Sequence, residues 1–451
     1  MLSPKFYVRL LLCIALTSFG TVEGVVIKTG NGSGNNSAPE DDPGFANVGR
    51  VGVGSGIYLG NRWVLTANHV GARSITFGGE TFDPVPGEST RVSNPLGRGI
   101  SASTDMVLYR ISEEPDLPDL RIGCRAPRIG DQLLLMGHGR DRVAQLSAWD
   151  VQTGLGNNDD VWTPTTNLPA ADQVGFGTES NRTLRWGFAP VTRTNTAVRT
   201  ASNGEVISIE TTFDDFGDGG PFPGLANVED LSRAVSGDSG GPAFRKNGDF
   251  WELVGMMHGV TPPRENQPGG TSTVLFGTVT YIADLLVYEG AIRAVAEFGP
   301  APGDFNNDGE IDATDIDRIF SAFENQDHNC NYDLSGNGLV TRADIDLLLN
   351  EAGTILGDAD LDGTIGFTDF LLLARSFGEE DRGWGGGDFD GDGSTNFGDF
   401  IQLSSSFGDS FEGVEQSAAI TAVPEPDGFS LVLLAVFIGL ARFRVTRRRR
   451  F

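Results

Sequence analysis

Positive charge is scarce in this chain. Its 451 residues carry 33 Lys and Arg against 61 Asp and Glu, a formal charge of −28. So acidic a polymer repels phosphate, which excludes nucleic acid as a partner. Cysteine is scarcer still. Of three, Cys13 lies in a segment expected to be removed, which leaves Cys124 and Cys330 in different candidate domains. No disulfide framework is evident, so stability is expected to come from core packing and bound metal. Long apolar runs are also missing from the chain ends. Residues 10–16 and 429–441 are apolar, but both runs fall short of the roughly 20 residues of a stable membrane span.

What is present is globular. Hydrophobic residues make up 39% and glycine supplies 62 positions, a composition of packed cores with many turns. The length implies two or three domains. Lys5 and Arg9, the apolar run and small residues up to Gly24 make residues 1–24 a secretory signal, with a short membrane anchor as the alternative. From Asn47 onward, apolar or β-branched runs recur at 51–59, 63–66, 106–110, 132–136, 205–209, 253–257 and 274–279, separated by Gly, Pro, Asn and Asp. This spacing predicts an all-β sandwich or barrel. Helical periodicity over 282–298 predicts a closing helix before Gly299-Pro300, and Pro300-Ala301-Pro302 reads as a linker.

Three segments carry chemistry. Thr66-Ala67-Asn68-His69-Val70 places a histidine just after a strand, and Ser103-Thr104-Asp105-Met106-Val107-Leu108 leads an aspartate into one. Ser236-Gly237-Asp238-Ser239-Gly240-Gly241-Pro242 sets a serine among glycines. A serine hydroxyl is a poor nucleophile until an imidazole takes its proton, and a carboxylate must orient that imidazole. Ser239, His69 and Asp105 supply these types, and the N–H groups of Gly237 and Ser239 are placed to bind an oxyanion.

These segments resemble the trypsin/chymotrypsin superfamily in motif and in the chain order His, Asp, Ser, over residues 47–298. The resemblance implies a double β-barrel and a serine endopeptidase domain at 25–299. Asn68 departs from the usual Ala, and Val70 and Val235 stand where animal members place cysteines. No Arg/Lys-Ile-Val-Gly-Gly activation site is present. In the superfamily, the position six residues before the nucleophile lines the specificity pocket. Here it is Arg233, and His258 falls near the pocket wall. Glutamyl endopeptidases of the superfamily use a pocket histidine, so a preference for acidic side chains and an Arg233 turned to solvent both stay open. A non-catalytic, protease-like scaffold protein of the cell surface is the rival reading.

Most of the negative charge lies between Asp304 and Asp409, where 24 acidic residues face 4 basic ones. There a twelve-residue pattern occurs four times, with oxygen-bearing side chains at alternate positions, Gly at the sixth and Asp at the twelfth. The candidate ligands are Asp304, Asn306, Asp308 and Asp315; Asp333, Ser335, Asn337 and Asp344; Asp358, Asp360, Asp362 and Asp369; and Asp388, Asp390, Asp392 and Asp399. Calcium wants six to eight oxygens, and a loop bent at a glycine can wrap them around it. Each loop feeds an apolar helix, expected at 316–323, 345–350, 370–377 and 400–407. One loop and one helix with Asp at the twelfth place resembles dockerin repeats. The resemblance implies two α-helical dockerin-type pairs over 300–410 and a possible cohesin module as partner.

The tail, 411–451, holds Val423-Pro424-Glu425-Pro426, an apolar run and Arg447–Arg450. It resembles the PEP-CTERM sorting signal of Gram-negative bacteria, which implies contact with the membrane before processing and a secreted or cell-surface destination. An ordinary membrane anchor is the alternative.

Overall fold

The computed structural model describes residues 25–411, apart from 99, 155–158, 201, 203, 215–229, 297–298 and 328. The expected signal and sorting segments lie outside these. Among the described residues no helix is long and apolar enough to cross a membrane. The chain divides into two compact units, Met1–Leu347 and Leu348–Phe451.

The first unit is mostly β. Its N-terminal half is a seven-stranded sheet in the order Glu80–Phe82, Ile75–Phe77, Val48–Val51, Gly54–Gly60, Trp63–Ala67, Ser103–Ile111 and Pro84–Ser93. Gly54–Gly60 is buried along its whole length, as a central strand covered on both faces must be. Pro84 and Pro86 lie on the edge strand, where a missing N–H breaks no ladder. The C-terminal half closes into a six-stranded antiparallel barrel of Arg185–Arg199, Glu205–Phe213, Thr278–Asp284, Phe250–Val260, Pro242–Asn247 and Gln132–Gly137. The all-β expectation therefore holds, as one half-barrel sheet and one closed barrel. A further four-stranded sheet joins Val161–Thr165, Arg140–Gln152, Gln173–Arg182 and Thr273–Leu275. The expected run 274–279 supplies part of its last strand and, after Gly277, the start of the barrel strand Thr278–Asp284, while the other three strands match no expected run.

Some boundaries differ for local reasons. The run 51–59 is a hairpin, because Gly52 takes a left-handed φ of 56° between Val48–Val51 and Gly54–Gly60. Residues 282–284 finish a strand, so the closing helix begins later, at Leu285–Arg293. One core spans both halves: Leu65, Leu108 and Tyr109 from the sheet cluster with Phe244, Leu253 and Met256 from the barrel. Each such side chain contributes about 1.5–3 kcal/mol by leaving water.

The first pair of acidic loops belongs to this same unit. Phe305 and Tyr332 pack edge-on against each other and against Phe250 of the barrel. Asn331 donates to the buried Glu252 at 2.8 Å, and Arg121 donates to the Asp304 carbonyl at 2.6 Å. Cys124 and Cys330 form a disulfide. The sequence alone, with the two cysteines far apart and in different candidate domains, gave no sign of this pairing.

The helices of the loops are Ala313–Glu324, Arg342–Glu351, Phe367–Ser376 and Phe397–Ser405. They start earlier than apolar periodicity indicates, because the twelfth-position aspartate caps them. Asp315, Asp344, Asp369 and Asp399 each accept the N–H of the ninth loop residue, at 2.7–3.1 Å. In the second unit Trp384 is fully buried, packs on Phe389, and donates to the Asp358 carbonyl.

Candidate active site

His69 follows the strand Trp63–Ala67, and Asp105 sits near the start of its neighbour Ser103–Ile111. Pairing of Ala67 with Met106 brings the two together. His69 Nδ1 lies 2.7 Å from Asp105 Oδ2, and the His69 backbone N–H donates to Oδ1 at 3.0 Å. Asp105 is 1% exposed. Burial pushes its carboxyl up, but the hydrogen bonds of His69 and Ser202 outweigh that and hold it below the usual carboxylate range. Ser202, which donates at 2.9 Å, is a residue that sequence reasoning missed.

The third segment is tied to the strand Gly54–Gly60, which in turn packs against Val70, the residue after His69. Ser55 N–H donates to the Ser239 carbonyl at 2.9 Å. Gly54 separates Val70, next to His69, from the same carbonyl: a Cβ there would stand 2.6 Å from Val70 and 3.1 Å from the Ser239 oxygen. The turn itself needs Gly237, whose φ is 116° and whose added Cβ would collide with Arg182. Ser55 Oγ donates to the Gly237 carbonyl at 2.8 Å, which fixes the orientation of that peptide. The N–H groups of Gly237 and Ser239 donate to no described residue. Two free N–H groups beside a serine are the donors an oxyanion requires.

Asp238 is wholly buried between them. Burial, the largest influence, pushes its carboxyl up to about 7, against the pull of the Val235 and Gly139 N–H groups and of Arg182 and Arg233. A folded pKa above the unfolded one means the native state holds an extra proton between roughly pH 4 and 7. Stability then falls as pH rises through that window. Melting temperature should drop from pH 5 to pH 8 more steeply in the natural chain than in Asp238→Asn. Parallel curves for the two proteins would contradict this.

A cavity of about 110 Å³ opens beside Ser239, and Arg233 lines it. His258, the other expected pocket residue, does not. It sits where the strand register slips between Met257 and Gly259, and its buried ring pairs with Ser208 Oγ at 2.8 Å. Burial holds its pKa down at about 4. His138 is structural: its N–H donates to Ser55 Oγ.

The four acidic loops share one geometry. In each, the sixth-position glycine N–H donates to the first aspartate: Gly309 to Asp304, Gly338 to Asp333, Gly363 to Asp358 and Gly393 to Asp388, at 2.6–3.0 Å. Carboxylate oxygens of Asp358, Asp360 and Asp369 lie within 4.8 Å of one another, as do those of Asp388, Asp390 and Asp399.

Residues 302–351 match the dockerin type I domain family. No curated protein matches the chain. Among solved structures it is similar to the inactive form of Rv3671c protease, at 13% identity over 56% of this chain and 91% of that one, with a TM-score of 0.30. A mutant of human heparin binding protein gives 13% identity, 59% and 99% coverage and 0.33. The NS6 protease of murine norovirus 1 gives 16%, 55% and 93%, and 0.26.

The dockerin match covers the first loop pair, and the second pair repeats its hydrogen bonds. The donor sets fit calcium: hard oxygens on a tight loop, with three carboxylates already convergent in the third and fourth copies. The second copy, with Ser335 and Asn337, offers the fewest charges.

Proposed function

We propose that this chain is an exported serine endopeptidase carried on a calcium-binding dockerin module. The observation that carries the reading is the buried Asp105 held 2.7 Å from His69. It is supported by the glycine-framed Ser239, on a turn where the Gly237 and Ser239 N–H groups find no acceptor among the described residues. In the reaction, Ser239 Oγ attacks the peptide carbonyl carbon and its proton passes to His69 Nε2. Asp105 stabilises the resulting imidazolium through Nδ1, and the Gly237 and Ser239 N–H groups bind the new oxyanion. His69 then protonates the leaving amine as the C–N bond breaks. Water attacks the acyl-enzyme by the same route and regenerates Ser239. Ser55 and Ser202 are positioning residues for the turn and for Asp105. A fluorophosphonate probe tests the reading: it should label Ser239 covalently, and a well-folded chain that takes no label would refute it.

The domain limits proposed are a signal at 1–24, the peptidase at 25–299, the dockerin pairs at 300–410 and a sorting tail beyond. Calcium would be held by Asp304, Asn306, Asp308 and Asp315 and by the corresponding residues of the other three loops; it supplies charge neutralisation, not chemistry. At a calcium concentration 100 times its dissociation constant, each site adds about 2.7 kcal/mol. Chelation of the full chain should therefore lower its melting temperature by several degrees, and an unchanged melting curve would remove calcium from the account. A cohesin-type partner is favoured by exposed apolar side chains at matching places of the second pair, Phe367, Leu371 and Phe377 on its first repeat and Phe397, Ile401 and Phe407 on its second.

A further inference from the structure

We propose that the peptidase cleaves after acidic residues, with Arg233 receiving the substrate's side-chain carboxylate. This rests on the peptidase reading above. Arg233 and Ser239 line one cavity, and among the described residues lining it Arg233 is the sole charged one. Antiparallel pairing with Val26 fixes the Arg233 backbone. The residue is 5% exposed, its Nε has no partner among the described residues, and Nη2 makes one long contact of 3.5 Å with the Thr261 carbonyl. Asp238 attracts it at a distance, but no described carboxylate lies within ion-pair range.

A guanidinium carries five N–H donors. A buried guanidinium that has no described protein partner at Nε and one long contact at Nη2 is costly for the fold. A carboxylate entering beside Ser239 supplies two acceptor oxygens in the geometry that a guanidinium fork matches. Val235, Met257 and Val260 are placed to cover the methylenes of the same side chain. An amide offers one acceptor and brings its own donors, an apolar side chain leaves Arg233 unpaired, and a basic one is repelled. The cavity therefore selects Glu or Asp.

The test uses the full chain and matched peptides that differ only in the residue on the acyl side of the cleaved bond: Glu, Asp, Gln, Leu and Arg. A buried charged hydrogen-bonding pair predicts kcat/KM for the best acidic peptide about 100-fold above its Gln counterpart. In Arg233→Gln that ratio should collapse towards one, whatever the overall rate. Arg233→Lys should keep part of it, and serves if the Gln variant does not fold. Cleavage of Gln or Leu peptides as fast as acidic ones by the natural chain overturns the inference and leaves the peptidase reading intact. So does an unchanged ratio in Arg233→Gln. Failure to cleave any peptide, together with failure to take the fluorophosphonate label, overturns both.

Discussion

Replacing Ser239 by Ala is expected to lower kcat for peptide hydrolysis by about 10⁶-fold, the scale on which loss of a triad nucleophile acts. The expected structural cost is small. The part Ser239 plays in holding the fold runs through its backbone carbonyl, which accepts the Ser55 N–H at 2.9 Å and is retained in alanine. Melting temperature should therefore stay within a few degrees of the natural chain while turnover and probe labelling vanish. His69→Ala should cost about as much, and the double variant little more than either alone, because the two groups act as a unit. Asp105→Asn should cost about 10⁴-fold through loss of the correct imidazole tautomer. Single-turnover kinetics with an activated ester would measure all four. If Ser239→Ala kept a hundredth of the natural rate, the hydrolysis would belong to another group or a contaminant.

The parts of this site legible in the sequence are those written locally. Gly237 through Pro242 encode a turn within a few residues, and each acidic loop completes its pattern in twelve. Asp105 could be read only from chain order, and the strand pairing of Ala67 with Met106 supplies the contact that order cannot. Ser55 and Ser202 were invisible because their partners, Gly237 and Asp105, stand 182 and 97 residues away, and no periodicity records such distances. His258 shows a different limit. A one-residue slip in its strand decides which side of the sheet a side chain faces, and that slip, between Met257 and Gly259, leaves no composition signal. The acidic loops misled at one point only: Asp at the twelfth place read as a ligand, and it is also a helix cap, so the helices begin earlier than their apolar residues suggest.

Loss of the Cys124–Cys330 disulfide is expected to destabilise the first unit by about 5 kcal/mol. The bond closes a sequence separation of 206 residues, and in the chain-entropy model a loop of that length lies near the upper end of disulfide stabilisation. Its surroundings are built to be held. Glu252, fully buried at the join, accepts hydrogen bonds from Arg245 and Asn247 on the barrel and from Asn331 beside Cys330. If the first loop pair swings away, Asn331 withdraws and Phe305 and Tyr332 leave Phe250 exposed. At roughly 2 °C per kcal/mol for a unit of this size, the paired Cys124→Ser and Cys330→Ser substitutions should lower the melting temperature by about 10 °C, and reductant should do the same to the natural chain. A shift under 2 °C would mean that packing alone holds the loop pair to the barrel. The second pair has no cysteine, so chelator should act on it equally in oxidised and reduced protein. The first pair should survive chelation far better while the bond is intact, which separates a covalently secured dockerin half from one that depends on its metal.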